Sequence, residues 1–205
     1  MAADETDYVL TAEDALEPEG PDDAHVPEEL DAETAARRRA ALEHVRQWGD
    51  PVLTTKARAV EAFDDGLRDE IHKMGALMHD ALGIGLAATQ VGILHRVLVY
   101  RVEPDSPVQA LVNPVLEWKG RDLDTMDEGC LSLPGVLVEV ERPLHVRVRA
   151  QDEHGEDLLV EASGLEARVI QHEMDHLDGV LILDRTSRDQ RKAAVRALRA
   201  AQDAD

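Results

Sequence analysis

Aromatic side chains are nearly missing from this 205-residue chain, which has two Trp, two Tyr and one Phe. Its core therefore has to be built from Leu, Val, Ile, Met and Ala, and the length suffices for one domain of ordinary size. With one cysteine no internal disulfide can form, which agrees with a reducing cytosol. No apolar run approaches the roughly 20 residues of a membrane-spanning helix, so no membrane partner is expected. Acidic residues outnumber basic ones 43 to 22, giving a net charge of −21, and a body of that sign does not bind DNA non-specifically. Basic residues are wholly absent from residues 1–36, which hold thirteen of the acidic ones together with Pro18, Pro21 and Pro27. Such a stretch buries too little to offset its ordering entropy and is expected to form a mostly disordered tail. It has neither the basic start and apolar centre of a secretory signal nor the Arg-rich, acid-poor character of a transit peptide. The expected location is cytoplasmic.

What the chain does have is Gln171-His172-Glu173-Met174-Asp175-His176. Residues four apart share a helix face, so His172 and His176 can hold one metal ion while Glu173 stands beside the open position as a general base. Ser163 and Glu166 have the spacing of a capping box, and Gly179 stands where a left-handed cap would end the helix. Leu165, Val169, His172, Glu173 and His176 fall on its inward face. Two imidazoles leave a catalytic site short of a ligand. Cys130, in Glu128-Gly129-Cys130-Leu131-Ser132, would complete it, since a thiolate and two imidazoles with one open position is a catalytic arrangement. Further upstream, Gly83-Ile84-Gly85-Leu86-Ala87-Ala88-Thr89-Gln90 offers small residues for close backbone approach and ends on an amide donor.

Taken in order, GIGLAATQ, EGCLS and QHEMDHL resemble the three signature segments of the peptide deformylases, metalloenzymes that remove the formyl group from the N-terminal methionine of new bacterial and organellar proteins. The resemblance runs from Gly49 to Leu183. It implies metal ligation by Cys130, His172 and His176, with Glu173 as general base. The Gln90 side-chain amide and the Leu131 backbone N–H become the oxyanion donors. It also implies one Fe2+ per chain in the cell, with Zn2+, Ni2+ or Co2+ as occupants after purification; the donor set itself suits all four. An ion held in this way lowers the pKa of its bound water from ~15.7 towards about 7, so that a hydroxide can attack the formyl carbon. Gly85 and Gly129 are expected to allow close approach to substrate and metal, and Ile84 and Leu165 to wall the methionine pocket. Glu128, paired with Arg142, is expected to orient the loop that carries Cys130. The substrates would be N-formylmethionyl nascent peptides. Two other readings stand beside this one. One is a zinc peptidase, which would take its third ligand from downstream rather than from an upstream cysteine. The other is a ribosome-docking protein that has lost catalysis.

The rest of the chain reads as α+β. Helices are expected between Ala35 and Trp48 and over Leu67–Leu82, the latter from its Leu67, Ile71, Met74, Met78, Leu82 stripe. Strands are expected at Val97–Tyr100, Gln109–Leu116, Val136–Val140 and His145–Arg149, with a hairpin turn at Asp152–Gly155 leading into Leu158–Glu161. Antiparallel sheets would then pack around the metal-binding helix. His72 and His79, seven apart on one helix, have no partners nearby and are not expected to bind metal. From Arg185 the chain turns basic, with Arg188, Arg191, Lys192, Arg196 and Arg199 opposite an apolar face of Ala194, Val195 and Leu198. A C-terminal amphipathic helix of this kind either closes the domain or meets ribosomal RNA. The expected organisation is a tail over 1–36, a catalytic domain over 37–184 and the helix over 185–205.

Overall fold

Short strands, some alternating between buried and exposed residues (residues 136–140, His145–Gln151) and one buried throughout (Val97–Tyr100), give this chain its sheets. A computed structural model describes residues 30–203, and the elements below belong to the unit that begins at Ala32. Strands β1 (Gly85–Ala87), β2 (Val97–Tyr100), β3 (Gln109–Lys119), β6 (His145–Gln151) and β7 (Asp157–Ser163) form one antiparallel sheet in the order β1-β2-β3-β6-β7. Strands β4 (Leu123–Cys130) and β5 (Leu133–Pro143) form a separate antiparallel pair. The run expected at Val136–Val140 is the middle of β5, whereas β4 has no counterpart among the expected strands. Its sequence, LDTMDEGC, is rich in residues of low strand propensity, and pairing with β5 is what makes it a strand.

Helix α2 (Asp65–Asp80) starts where the Asp64 carboxylate accepts the Leu67 N–H at 3.1 Å, and it buries Leu67, Ile71, Met74 and Met78. It ends two residues before its expected limit. Leu82 takes the left-handed φ of 59° usually left to glycine, and the Gly83 N–H closes onto the Met78 carbonyl at 2.9 Å. Helix α3 (Gly164–Leu177) carries the His172-Glu173-Met174-Asp175-His176 motif. Gly179, at φ 72°, ends it in a Schellman motif: the Val180 N–H reaches the Asp175 carbonyl at 2.8 Å and the Gly179 N–H reaches His176 at 3.1 Å. A side chain there would also run into the Thr54 carbonyl at 2.7 Å. The capping box does not form. Ser163 is still paired with His145 in the sheet, so its hydroxyl meets His145 Nδ1 at 2.9 Å, and Glu166 is taken by the Tyr100 hydroxyl at 3.0 Å.

Strand β2 divides the core by its pleat. Leu98 and Tyr100 face α3, alongside Leu111, Val146, Val148, Ala167, Ile170 and Leu177. Val97 and Val99 face α2. The sheet is thus covered on both faces, with α3 central. Helix α4 (Arg188–Gln202) lays Ala194 and Leu198 on the valines of β5, beside Leu53 and Leu181–Leu183. The first helix, α1 (Ala32–Leu42), takes in the last residues of the acidic segment. The disorder expected of the remainder, residues 1–29, falls outside the described residues. No described helix is long and apolar enough to cross a membrane.

Candidate metal centre and active site

Helix α3 presents His172 and His176 one turn apart, with ring centroids separated by 5.0 Å. Against them the β4–β5 hairpin delivers Cys130 at the last position of β4. Gly129 pairs with Leu137, but Cys130 pairs with Leu133 across the two-residue turn Leu131-Ser132. The surplus residues on β5 bulge out, where Pro134 lacks a donor and Gly135 adopts φ 71°. This kink brings Cys130 Sγ to 3.2 Å from His176 Nε2. One donor atom from each of Cys130, His172 and His176 lies within 4.8 Å of the others, the sole such group among the described residues. His72 and His79 form none.

Gln90 lies in a buried 3-10 turn, Ala88–Val91. Its Oε1 accepts the Ala87 N–H at 2.8 Å, which turns Nε2 toward Ser132 Oγ at 3.3 Å and Cys130 Sγ at 3.6 Å. The segment after α1 straps both walls together, with the Arg46 N–H on the Gln90 carbonyl at 2.7 Å and the Trp48 N–H on Ser132 at 2.9 Å. Glu173 is 4% exposed, and its Oε2 has no hydrogen-bond partner. The α-carbon of Gly85 abuts this side chain so closely that a Cβ there would stand 2.4 Å from Glu173 Oε1. Gly129 faces Leu137 instead.

Behind the motif runs a buried ionic chain. Arg142 donates to both oxygens of Glu128, at 2.6 and 2.9 Å, and to Asp175 at 2.9 Å. Arg168 adds a bond to Glu128 at 2.7 Å, Arg185 donates to Asp175, and Glu128 Oε2 meets His172 Nδ1 at 3.0 Å. Burial works against the charge on Glu128, but its bonds to Arg142 and His172 outweigh that and hold its pKa at about 2. Burial pushes Glu173 up to about 7, against the pull of His172 and Arg142. The two histidines are driven apart. Burial and the neighbouring charges of His172 and Arg142 take His176 well below its ordinary value, leaving a neutral imidazole with a free lone pair. For His172 burial acts downward, yet Cys130, Glu128 and Glu173 carry it upward. Surroundings that favour positive charge at His172, a neutral His176 and an adjacent sulfur fit a bound divalent cation. With Glu128 on Nδ1, His172 has its Nε2 available for a cation.

The centre opens into a cleft of about 470 Å³. Ile84 and Leu165, 44% and 47% exposed, both line it, together with Leu82, Met126, Leu137 and Val169. Sequence reasoning missed Asp175, Arg168 and Ser132, although Arg168 stands one turn before His172. It also missed Met126, on β4, and Leu137, on β5. The expected pair Glu128–Arg142 is the centre of the network, which extends further than two residues could suggest.

A hairpin cysteine and a helical His-x-x-x-His that could hold one metal ion, with a buried carboxylate alongside, fit the class of mononuclear metallohydrolases. The family model described as polypeptide deformylase matches residues 42–192. The peptide deformylase of Acidothermus cellulolyticus is 47% identical over 162 residues, 79% of this chain and 88% of the relative. Peptide deformylase 1 of Corynebacterium efficiens is 48% identical over 158 residues, 76% of this chain and 94% of the relative. Among solved structures, a Synechococcus elongatus peptide deformylase in complex with actinonin superposes with a TM-score of 0.72 at 44% identity, covering 75% of this chain and 85% of that one. This chain belongs to the polypeptide deformylase family. It is an enzyme of that metal-dependent type, acting on formylated peptides.

Proposed function

We propose that the chain removes the formyl group from N-formylmethionyl nascent peptides in the cytoplasm, with Cys130, His172 and His176 as metal ligands and Glu173 as general base. The carrying observation is the three donor atoms within 4.8 Å beside a buried carboxylate with an unpartnered oxygen. A divalent ion at these ligands supplies Lewis acidity to the attacking water and to the formyl oxygen. Glu173 takes the proton of that water as its oxygen bonds to the formyl carbon. The oxyanion then receives hydrogen bonds from Gln90 Nε2, already aimed at the centre by the Ala87 N–H, and from the Leu131 N–H in the hairpin turn. Glu173 passes its proton to the departing nitrogen as the C–N bond breaks, giving formate and a free α-amino group. Ile84 and Leu165 flank the methionine side chain. Glu128, held by Arg142, fixes the ring of His172.

Following the resemblance to bacterial deformylases, the ion in the cell is Fe2+. The test is formate release from formyl-Met-Ala-Ser by anaerobically purified, metal-analysed protein. Turnover should follow iron, nickel or cobalt content and vanish in Cys130→Ala, while internal peptide bonds stay intact. Cleavage of internal bonds would establish the peptidase instead. Glu173→Ala should abolish turnover and retain metal, and turnover in that variant would remove Glu173 as the base. Helix α4 leaves Arg188, Lys192, Arg196 and Arg199 exposed once Ala194 and Leu198 are buried. This face is proposed to meet the ribosome, and salt-sensitive co-sedimentation with ribosomes that disappears when the four are made glutamate tests it.

A further inference from the structure

Helix α1 reaches the cleft. Arg38 and Leu42 line the same cavity as Cys130, His172 and Glu173, yet the family match begins only at residue 42. The helix is held there from several sides. Arg37 pairs with Asp80 at 3.6 Å, Ala41 and Val45 are buried, and the strap that follows is bonded to Gln90 and Ser132. Leu42 is half-buried and Arg38 is exposed.

The charges lining the cleft are unequal in freedom. Arg168 is committed to Glu128, Asp124 and the Val140 carbonyl. Glu128 is saturated by Arg142, Arg168 and His172. Among the described residues no carboxylate forms a salt bridge with Arg38, although Arg37 beside it has one. Asp127 lines the cavity from another wall, on β4. Arg38 therefore offers the cleft an unengaged guanidinium, and its five donors suit a carboxylate. Leu42, one turn away on the same helix face, supplies an apolar contact for the stem of such a side chain.

We propose that Arg38 and Leu42 form a downstream subsite, supplied by α1, that takes an acidic side chain of the substrate peptide beyond its formyl-methionine. The inference rests on the deformylase reading above and gives it a substrate preference. The test uses the full chain, metal-loaded, and a set of formyl-Met peptides in which Glu or Lys is moved from the second to the fifth position of an otherwise Ala/Ser sequence. At one position kcat/KM for Glu should exceed that for Lys by about three- to tenfold, the range expected when attraction replaces repulsion between exposed charges. The difference should lie in KM, since the charge is remote from the formyl carbon, and it should shrink as salt is raised from 0.05 to 0.5 M. In Arg38→Glu the Glu/Lys ratio at that position should invert, an outcome that a merely structural arginine would not give. A ratio unchanged between wild type and Arg38→Glu at every position overturns the proposal. Failure of the metal-loaded protein to release formate from formyl-Met-Ala-Ser overturns the deformylase reading, and this subsite with it.

Discussion

Replacing Gly85 by alanine puts a methyl group where the Glu173 carboxylate now stands. The added Cβ would lie 2.4 Å from Glu173 Oε1 and 2.9 Å from both Cδ and Cγ. Ordinary contact begins near 3.4 Å, so the carboxylate has to withdraw by about 1 Å. Strand β1 cannot yield instead, because it is buried along its whole length and Gly85 is paired with Tyr100. Gly85 has no positive φ, so alanine meets no backbone strain, and the overpacking cost is about 1–3 kcal/mol. The loss in rate is larger in proportion, since a 1 Å misplacement of a reacting group costs on the order of 10²-fold. The assay pairs kcat/KM for formyl-Met-Ala-Ser with a thermal melt and a metal analysis of the same sample. The expected result is a folded, metal-bearing protein with about a hundredth of wild-type activity. Gly83→Ala serves as the comparison, because its Cβ would be tight only against the end of the Leu131 side chain, at 3.0 Å, with the Gly85 and Met78 carbonyls at 3.4 and 3.5 Å. A Gly85→Ala enzyme within threefold of wild type would refute the placement of the base against this α-carbon.

Gln90→Leu should lower kcat by ~10²–10³ through loss of one oxyanion donor, and an unchanged rate would remove Gln90 from the reaction. Arg142→Met leaves Glu128 and Asp175 buried with one fewer cation each, and breaking such a pair costs about 3–5 kcal/mol. The lower end is expected, because Arg168 and Arg185 remain, and urea unfolding that shows less than about 1 kcal/mol would contradict it. Tyr100 has its pKa raised, first by burial and then by the neighbouring Glu166 carboxylate. The unfolded chain therefore ionises first, so the stability this phenol contributes is intact below about pH 10 and is lost as pH rises beyond it. Melts from pH 8 to 11 should fall more steeply for wild type than for Tyr100→Phe, and parallel curves would exclude the linkage.

The family was legible because its signature residues sit in three short segments whose order carries the information. Strands such as Val97–Tyr100 were legible too, since a short buried run of Val, Leu and Tyr is a local signal. Strand β4 was not. Asp, Glu and Gly there gain strand geometry only from the partner across the hairpin, and Cys130 reaches the histidines through a bulge that no local pattern announces. Ser163 and Glu166 show the opposite failure: a local pattern was present, and the tertiary partners His145 and Tyr100 took its side chains. Arg168 and Asp175 joined the site through contacts across distant elements, which helical periodicity alone cannot pair.

The solitary thiol of this chain makes the enzyme its own indicator. A thiol-selective alkylating reagent has one atom to find, Cys130 Sγ, and in the proposed holoenzyme that atom is occupied as a ligand. The fraction of protein that gains one label in a mass spectrum thus counts the molecules lacking their ion. The same solitude carries a hazard. An oxidised Cys130 has no second thiol within the chain to capture it as a disulfide, so repair has to come from a reductant outside the molecule.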